Sequence, residues 1–112
     1  MFLRDDYMNT RFEYLYRDAG NFKNWGDIIF ANPSDIPISV ITQRAHKTLI
    51  DQSYFVARKA DIPDLHFPDY NNDLDHEWHE FHLFAETNDS PTDMKNRSVD
   101  EFLQDLHLAS KI

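Results

Sequence analysis

The segment Thr10-Arg11-Phe12-Glu13-Tyr14-Leu15-Tyr16-Arg17 places Phe12, Tyr14 and Tyr16 on one side and Glu13 and Arg17 on the other. A period of two with aromatic side chains suits a pleated, half-buried surface, so this stretch predicts a β-strand. After it, Ala19-Gly20-Asn21-Phe22-Lys23-Asn24-Trp25-Gly26 holds both glycines of the chain and two asparagines, residues that tolerate turn geometry. It reads as a hairpin loop, with Asp27 to Ala31 as the return strand. Asn32-Pro33 ends that strand, because proline donates nothing to a ladder and pushes its predecessor away from helix.

Pro37 stands where a helix can begin, and Ile38, Ile41, Ala45 and Leu49 follow at spacings of three and four, which predicts a helix over 37–51. Ser53 to Arg58 returns to aromatic and β-branched residues and reads as a third strand. Two prolines and the Asn71-Asn72 pair make 61–75 an ordered acidic loop. From Glu77 to Glu86 the chain alternates again, with Trp78, Glu80, His82 and Phe84 on one face and Glu77, His79, Phe81 and Leu83 on the other. Neither face is purely polar, as expected of a fourth strand covered on both sides or flanked by a functional surface. Ser98 with Glu101 forms a capping box ahead of Val99, Phe102, Leu103 and Leu106, which starts a last helix. The expected fold is α+β in the order ββαββα: an antiparallel four-stranded sheet with two helices packed on one face, in a single domain 1–112 with 1–9 as a loose terminus.

Composition narrows the function. The 112 residues are 41% hydrophobic with 16 aromatics, too apolar for a disordered chain despite a net charge of −9. No stretch approaches the roughly 18 apolar residues of a membrane span, and Met1-Phe2-Leu3-Arg4-Asp5-Asp6 lacks the order of a signal peptide. A cytoplasmic protein without a membrane partner is expected, and the glycosylation patterns at Asn88 and Asn96 are discounted with it. Zero cysteines exclude disulfides and thiolate chemistry, and two glycines exclude a glycine-rich phosphate loop. Ser90 and Ser98 are explained by turn and cap contexts, and Ser34, Ser39 and Ser53 have no His or acid at a diagnostic spacing.

Charge is unevenly spread. Residues 1–60 hold seven acids against eight bases, whereas 61–110 hold thirteen acids against Lys95 and Arg97, and 61–94 has ten acids with no Lys or Arg. Phosphate neutralisation needs clustered Lys/Arg, so direct nucleic-acid binding is not expected. A cationic partner is. The reading is a non-enzymatic acidic protein that binds a basic surface of a partner macromolecule, as an inhibitor, an immunity protein or a mimic covering a nucleic-acid-binding protein does. Asp64, Asp69, Asp73, Asp75, Glu77 and Glu80, with the aromatics Phe22 and Trp25, form the expected partner-binding set.

The alternative is a metal-binding domain or metal-dependent hydrolase centred on 69–82, where no cofactor is otherwise expected. Asp69-Tyr70-Asn71-Asn72-Asp73-Leu74-Asp75-His76-Glu77-Trp78-His79-Glu80 places oxygen side chains at positions 1, 3, 5, 7, 9 and 12, the ligand spacing of an EF-hand calcium loop. Leu74 stands where that loop needs glycine, and Pro63 and Pro68 argue against a preceding helix. Imidazoles at His66, His76, His79 and His82 could serve zinc or a similar ion, although His76-Glu77-Trp78-His79 is one residue short of HExxH. The metal set on this reading is Asp69, Asn71, Asp73, Asp75, His76 and His79, with calcium or another divalent ion.

The strings Tyr16-Arg17-Asp18-Ala19-Gly20-Asn21-Phe22-Lys23-Asn24-Trp25-Gly26 and Asp75-His76-Glu77-Trp78-His79-Glu80-Phe81, followed by Pro91-Thr92-Asp93, resemble a family of short uncharacterised bacterial proteins. The resemblance spans about residues 10–108. It implies a bacterial, cytosolic or mobile-element origin and carries over no functional residue.

Overall fold

The computed structural model describes residues 8–71 and 75–110. Four strands, β1 (Asn9–Arg17), β2 (Lys23–Phe30), β3 (Tyr54–Val56) and β4 (Trp78–Thr87), and two helices, α1 (Ile38–Thr48) and α2 (Val99–Ala109), make an α+β fold. The sheet is antiparallel in the order β2-β1-β4-β3, so the alternating stretch that begins at Thr10 is a central strand. The strict ββαββα order is not kept: β3 gives way after three residues to a 3-10 helix, Ala57–Ala60, which stands between β3 and β4. Ala57 and Ala60 are buried there, where a pleated strand would turn alternate residues outward. Among the described residues no helix is long and apolar enough to cross a membrane.

The hairpin is tighter than the sequence suggested. Asp18 and Phe22 close the turn, with Asp18 N–H donating to the Phe22 carbonyl and the Asp18 carboxylate accepting from Phe22 N–H. Lys23 to Gly26 therefore belong to β2. The left-handed residue is Asn21 (φ 68°), and neither glycine has a positive φ. Gly26 is needed for a different reason: a Cβ there would lie 3.0 Å from the Leu65 side chain.

Strand β4 changes phase along its length. Glu13 faces Leu83 and Tyr14 faces Phe81, so His82 is an extra residue opposite β1, a β-bulge. His79, Phe81 and Phe84 consequently share the inner face, and the strict alternation expected for 77–86 fails at His82. Phe12 is the hub of that face, its ring centroid 5.0–5.9 Å from those of Tyr14, Phe55, Phe81, Phe84 and Phe102. Phe30 stacks on Phe102 at 4.2 Å. Helix α1 contributes Ile41 and Ala45 to the same core, and α2 contributes Val99, Phe102, Leu103 and Leu106.

Helix α2 starts at the capping box the sequence announced, with Ser98 Oγ accepting from Glu101 N–H and Glu101 accepting from Ser98 N–H. Just before it, Arg97 is almost fully buried. Its guanidinium donates to both Asp93 oxygens, to Asp105 and to the carbonyls of Ala60 and Asp61, beneath the rings of Phe30 and Phe102. Burial alone pushes the Asp93 carboxyl up, but these bonds from Arg97 hold it below its ordinary value. This arginine ties the start of the acidic segment to the base of α2.

Candidate functional site

One end of the inner sheet face carries polar tips instead of methyl groups. Tyr14, Tyr16 and His79 lie there, all but inaccessible to solvent. Their polar atoms hold the irregular residues from Ile62 to Asn71, together with Asp75 and His76, a strap laid across the sheet end. Tyr14 OH donates to the Pro63 carbonyl (2.7 Å) and Tyr16 OH to the His76 carbonyl (2.9 Å). Asn24 Nδ2 donates to the Leu65 carbonyl (3.0 Å), and Leu65 N–H donates to His79 Nε2 (2.9 Å). The other His79 nitrogen, Nδ1, faces the Glu77 carbonyl at 3.1 Å.

These bonds define protonation. A ring nitrogen that accepts an amide N–H carries a lone pair, so His79 is the neutral Nδ1–H tautomer. Burial pushes its pKa down to about 4, and nearby His66 acts in the same direction, against the Glu77 carbonyl and Asp64. The Glu77 carbonyl and Asp64 favour the charged ring, but desolvation outweighs them. Burial also pushes the Tyr16 phenol up to about 12, helped by Asp75, Tyr70 and Asp18. The Tyr14 phenol is raised by burial, then by Asp64 and Asp27.

Between the strap and the β1–β2 turn lies a pocket of about 230 Å³, walled by the rings of Tyr16, Phe67 and Tyr70 and rimmed by Asp18, Asp69 and Asp75. No Lys or Arg of the described residues lines it. A larger, wide-open depression of about 810 Å³ runs beside α1, where hydroxyls, amides, His46 and Lys47 lie side by side without converging. We place the candidate site at the strap pocket, where three carboxylates from two distant segments meet three aromatic rings.

The expected partner-binding residues separate into three groups. Asp69 and Asp75 reach the pocket, joined by Asp18, which sequence reasoning missed because it lies 51 positions before Asp69. Glu77 and Glu80 are turned to arginines, Glu77 to Arg58 at 2.7 Å and Glu80 to Arg17 at 2.8 Å. Basic groups from distant sequence thus neutralise carboxylates that have no basic neighbours along the chain, as Lys95 does for Asp61 at 2.9 Å. Phe22 is 70% exposed at the hairpin turn close to the pocket's Gly20, whereas Trp25, 52% exposed, lies on the outer sheet face against His82. Asp64 is exposed on the strap, and Asp73 lies outside the described residues.

The described residues of the calcium loop do not gather around one point. Glu77 and Glu80, its ninth and twelfth positions, are held by arginines, and the window ends in strand β4 instead of a helix. Asp75 accepts from Asn71 N–H at 2.9 Å, and His76 Nε2 lies 2.9 Å from the Arg17 carbonyl. His79 departs from the set and faces Asp64 and His66, the ligand atoms of these three lying within 4.8 Å of one another. Compared with known proteins, the chain matches no family model, no curated protein and no solved structure, so its site is read from its own geometry.

Proposed function

We propose that the protein is a non-enzymatic binding module that receives a basic surface of a partner macromolecule at the strap, with a Lys or Arg side chain of the partner entering the pocket. The observation that carries this reading is the pocket itself. Three carboxylates from two distant segments rim three aromatic rings, and no cation of the described residues lines the space. Carboxylates offer charge-assisted hydrogen bonds to an ammonium or guanidinium, and ring faces attract the same cation. The acidic excess of 61–94 supplies longer-range attraction that speeds encounter with a basic partner. An inhibitor, immunity or nucleic-acid-mimic role, in a bacterial cytoplasm, is the concrete form of this reading.

The test is a heteronuclear NMR titration of the full chain with an arginine-rich peptide and with a glutamate-substituted control. Shifts at Gly20, Phe67 and Tyr70 that weaken when Asp18 and Asp69 are both changed to Asn support the reading. A shift map centred elsewhere, or one indifferent to those two substitutions, removes it.

A further inference from the structure

The geometry points to a second site behind the pocket: Asp64, His66 and His79 form a binding site for a zinc-class dication that would clamp the strap to β4. Their three ligand atoms already lie within 4.8 Å of one another, drawn from the strap and from β4. Two imidazoles and one carboxylate suit zinc or a neighbouring transition metal. Calcium, which takes six to eight oxygens, finds too few here.

Each imidazole is prepared. His79 donates Nδ1–H to the Glu77 carbonyl, the outer contact that fixes ring orientation and leaves Nε2 as the ligand atom in most metal-bound histidines. His66 is held by stacking on Tyr70 (centroids 3.8 Å apart, planes 8° apart) and by an edge contact with Tyr16 at 4.6 Å. Its Nε2 is buried and has no hydrogen-bond partner among the described residues. An unpartnered buried polar atom is costly, and a metal bond would relieve that cost. Asp64 is exposed and contributes the negative charge on the solvent side, where a water can complete four-coordination.

Occupation asks for one local movement. Metal–ligand distances of about 2.0–2.2 Å require the three atoms to draw together, and the ion must replace Leu65 N–H on His79 Nε2. The Asp64–Leu65 peptide that carries this N–H lies between two anchored carbonyls, Pro63 held by Tyr14 and Leu65 held by Asn24. Rotation of that single peptide frees Nε2 with both anchors kept.

Chelator-stripped full-length protein titrated calorimetrically with zinc, and with cobalt to read its ligand-field absorption, tests the site. One equivalent should bind and raise the melting temperature, with no response to calcium. Asp64→Asn and His66→Gln, neither in the core, should each weaken zinc by about tenfold or more while leaving the metal-free melt in place. His76→Gln and His82→Gln should leave zinc binding intact. Absence of stoichiometric binding, or affinity unchanged in both Asp64→Asn and His66→Gln, overturns the proposal. The arginine-peptide titration is read separately in metal-free protein, so failure of one reading does not decide the other.

Discussion

His79 and Arg97 show how much depends on single buried polar residues. With a folded pKa of about 4 against an unfolded value near 6.5, His79 is neutral when folded and takes up a proton on unfolding between those limits. Its contribution is complete above pH 6.5 and declines as pH falls towards 4, by up to about 3 kcal/mol. Denaturant unfolding of chelator-treated protein should show this decline, and His79→Asn should flatten it; a wild-type curve level from pH 7 to pH 4.5 would contradict the neutral, strap-anchoring histidine. Arg97 poses the opposite case, a charge kept buried by complete pairing. Arg97→Ala leaves the buried Asp93 carboxylate with backbone donors but no counter-charge and should cost about 3–5 kcal/mol. Arg97→Lys should recover little, because an ammonium cannot reproduce the guanidinium fork that meets Asp93, Asp105 and two carbonyls. Melting curves of the two variants that resemble wild type would refute this.

At the scale of elements, the helices differ in what starts them. Helix α2 has a full capping box, whereas the N-cap of α1, Pro37, makes no side-chain cap bond and has no acid in the first turn after it. Ser98→Ala should therefore cost about 1 kcal/mol, read as a lower denaturation midpoint with an unchanged slope. The described residues of the strap form no periodic backbone ladder and rely on side chains of the sheet. Removing one anchor, Tyr14→Phe, should cost roughly 1 kcal/mol from the lost bond to Pro63 and increase hydrogen exchange in the strap ahead of the sheet. Uniform exchange across strap and sheet in that variant would show that the anchor is not specific to the strap.

For the whole molecule, the net charge of −9 is unevenly compensated: arginines or lysine meet Asp61, Glu77, Glu80 and Asp93, while Asp18, Asp69 and Asp75 converge on one pocket. Repulsion of this kind is screened by salt, the Debye length falling to about 10 Å at 0.1 M. The melting temperature near neutral pH should rise as sodium chloride is added from low ionic strength. A falling melting temperature would mean that the attractive pairs dominate instead.

Much of the secondary structure was legible because its causes are local. The alternation of Phe12, Tyr14 and Tyr16, the stop at Asn32-Pro33 and the Ser98–Glu101 box each depend on residues at most four positions apart. Their steric and hydrogen-bonding preferences act whatever the rest of the chain does. The acidic excess was legible too, and it located the strap. What only the tertiary structure decided is which atoms meet across long separations. Arg17 reaches Glu80, 63 positions away, and Tyr16 reaches the His76 carbonyl, 60 positions away. Leu65 N–H finds His79, and the bulge at His82 turns Phe84 inward. Burial, and with it the protonation of His79 and the pairing of Glu77 and Glu80, follows from those meetings, because desolvation and charge pairing depend on distance in space, to which spacing along the chain is indifferent.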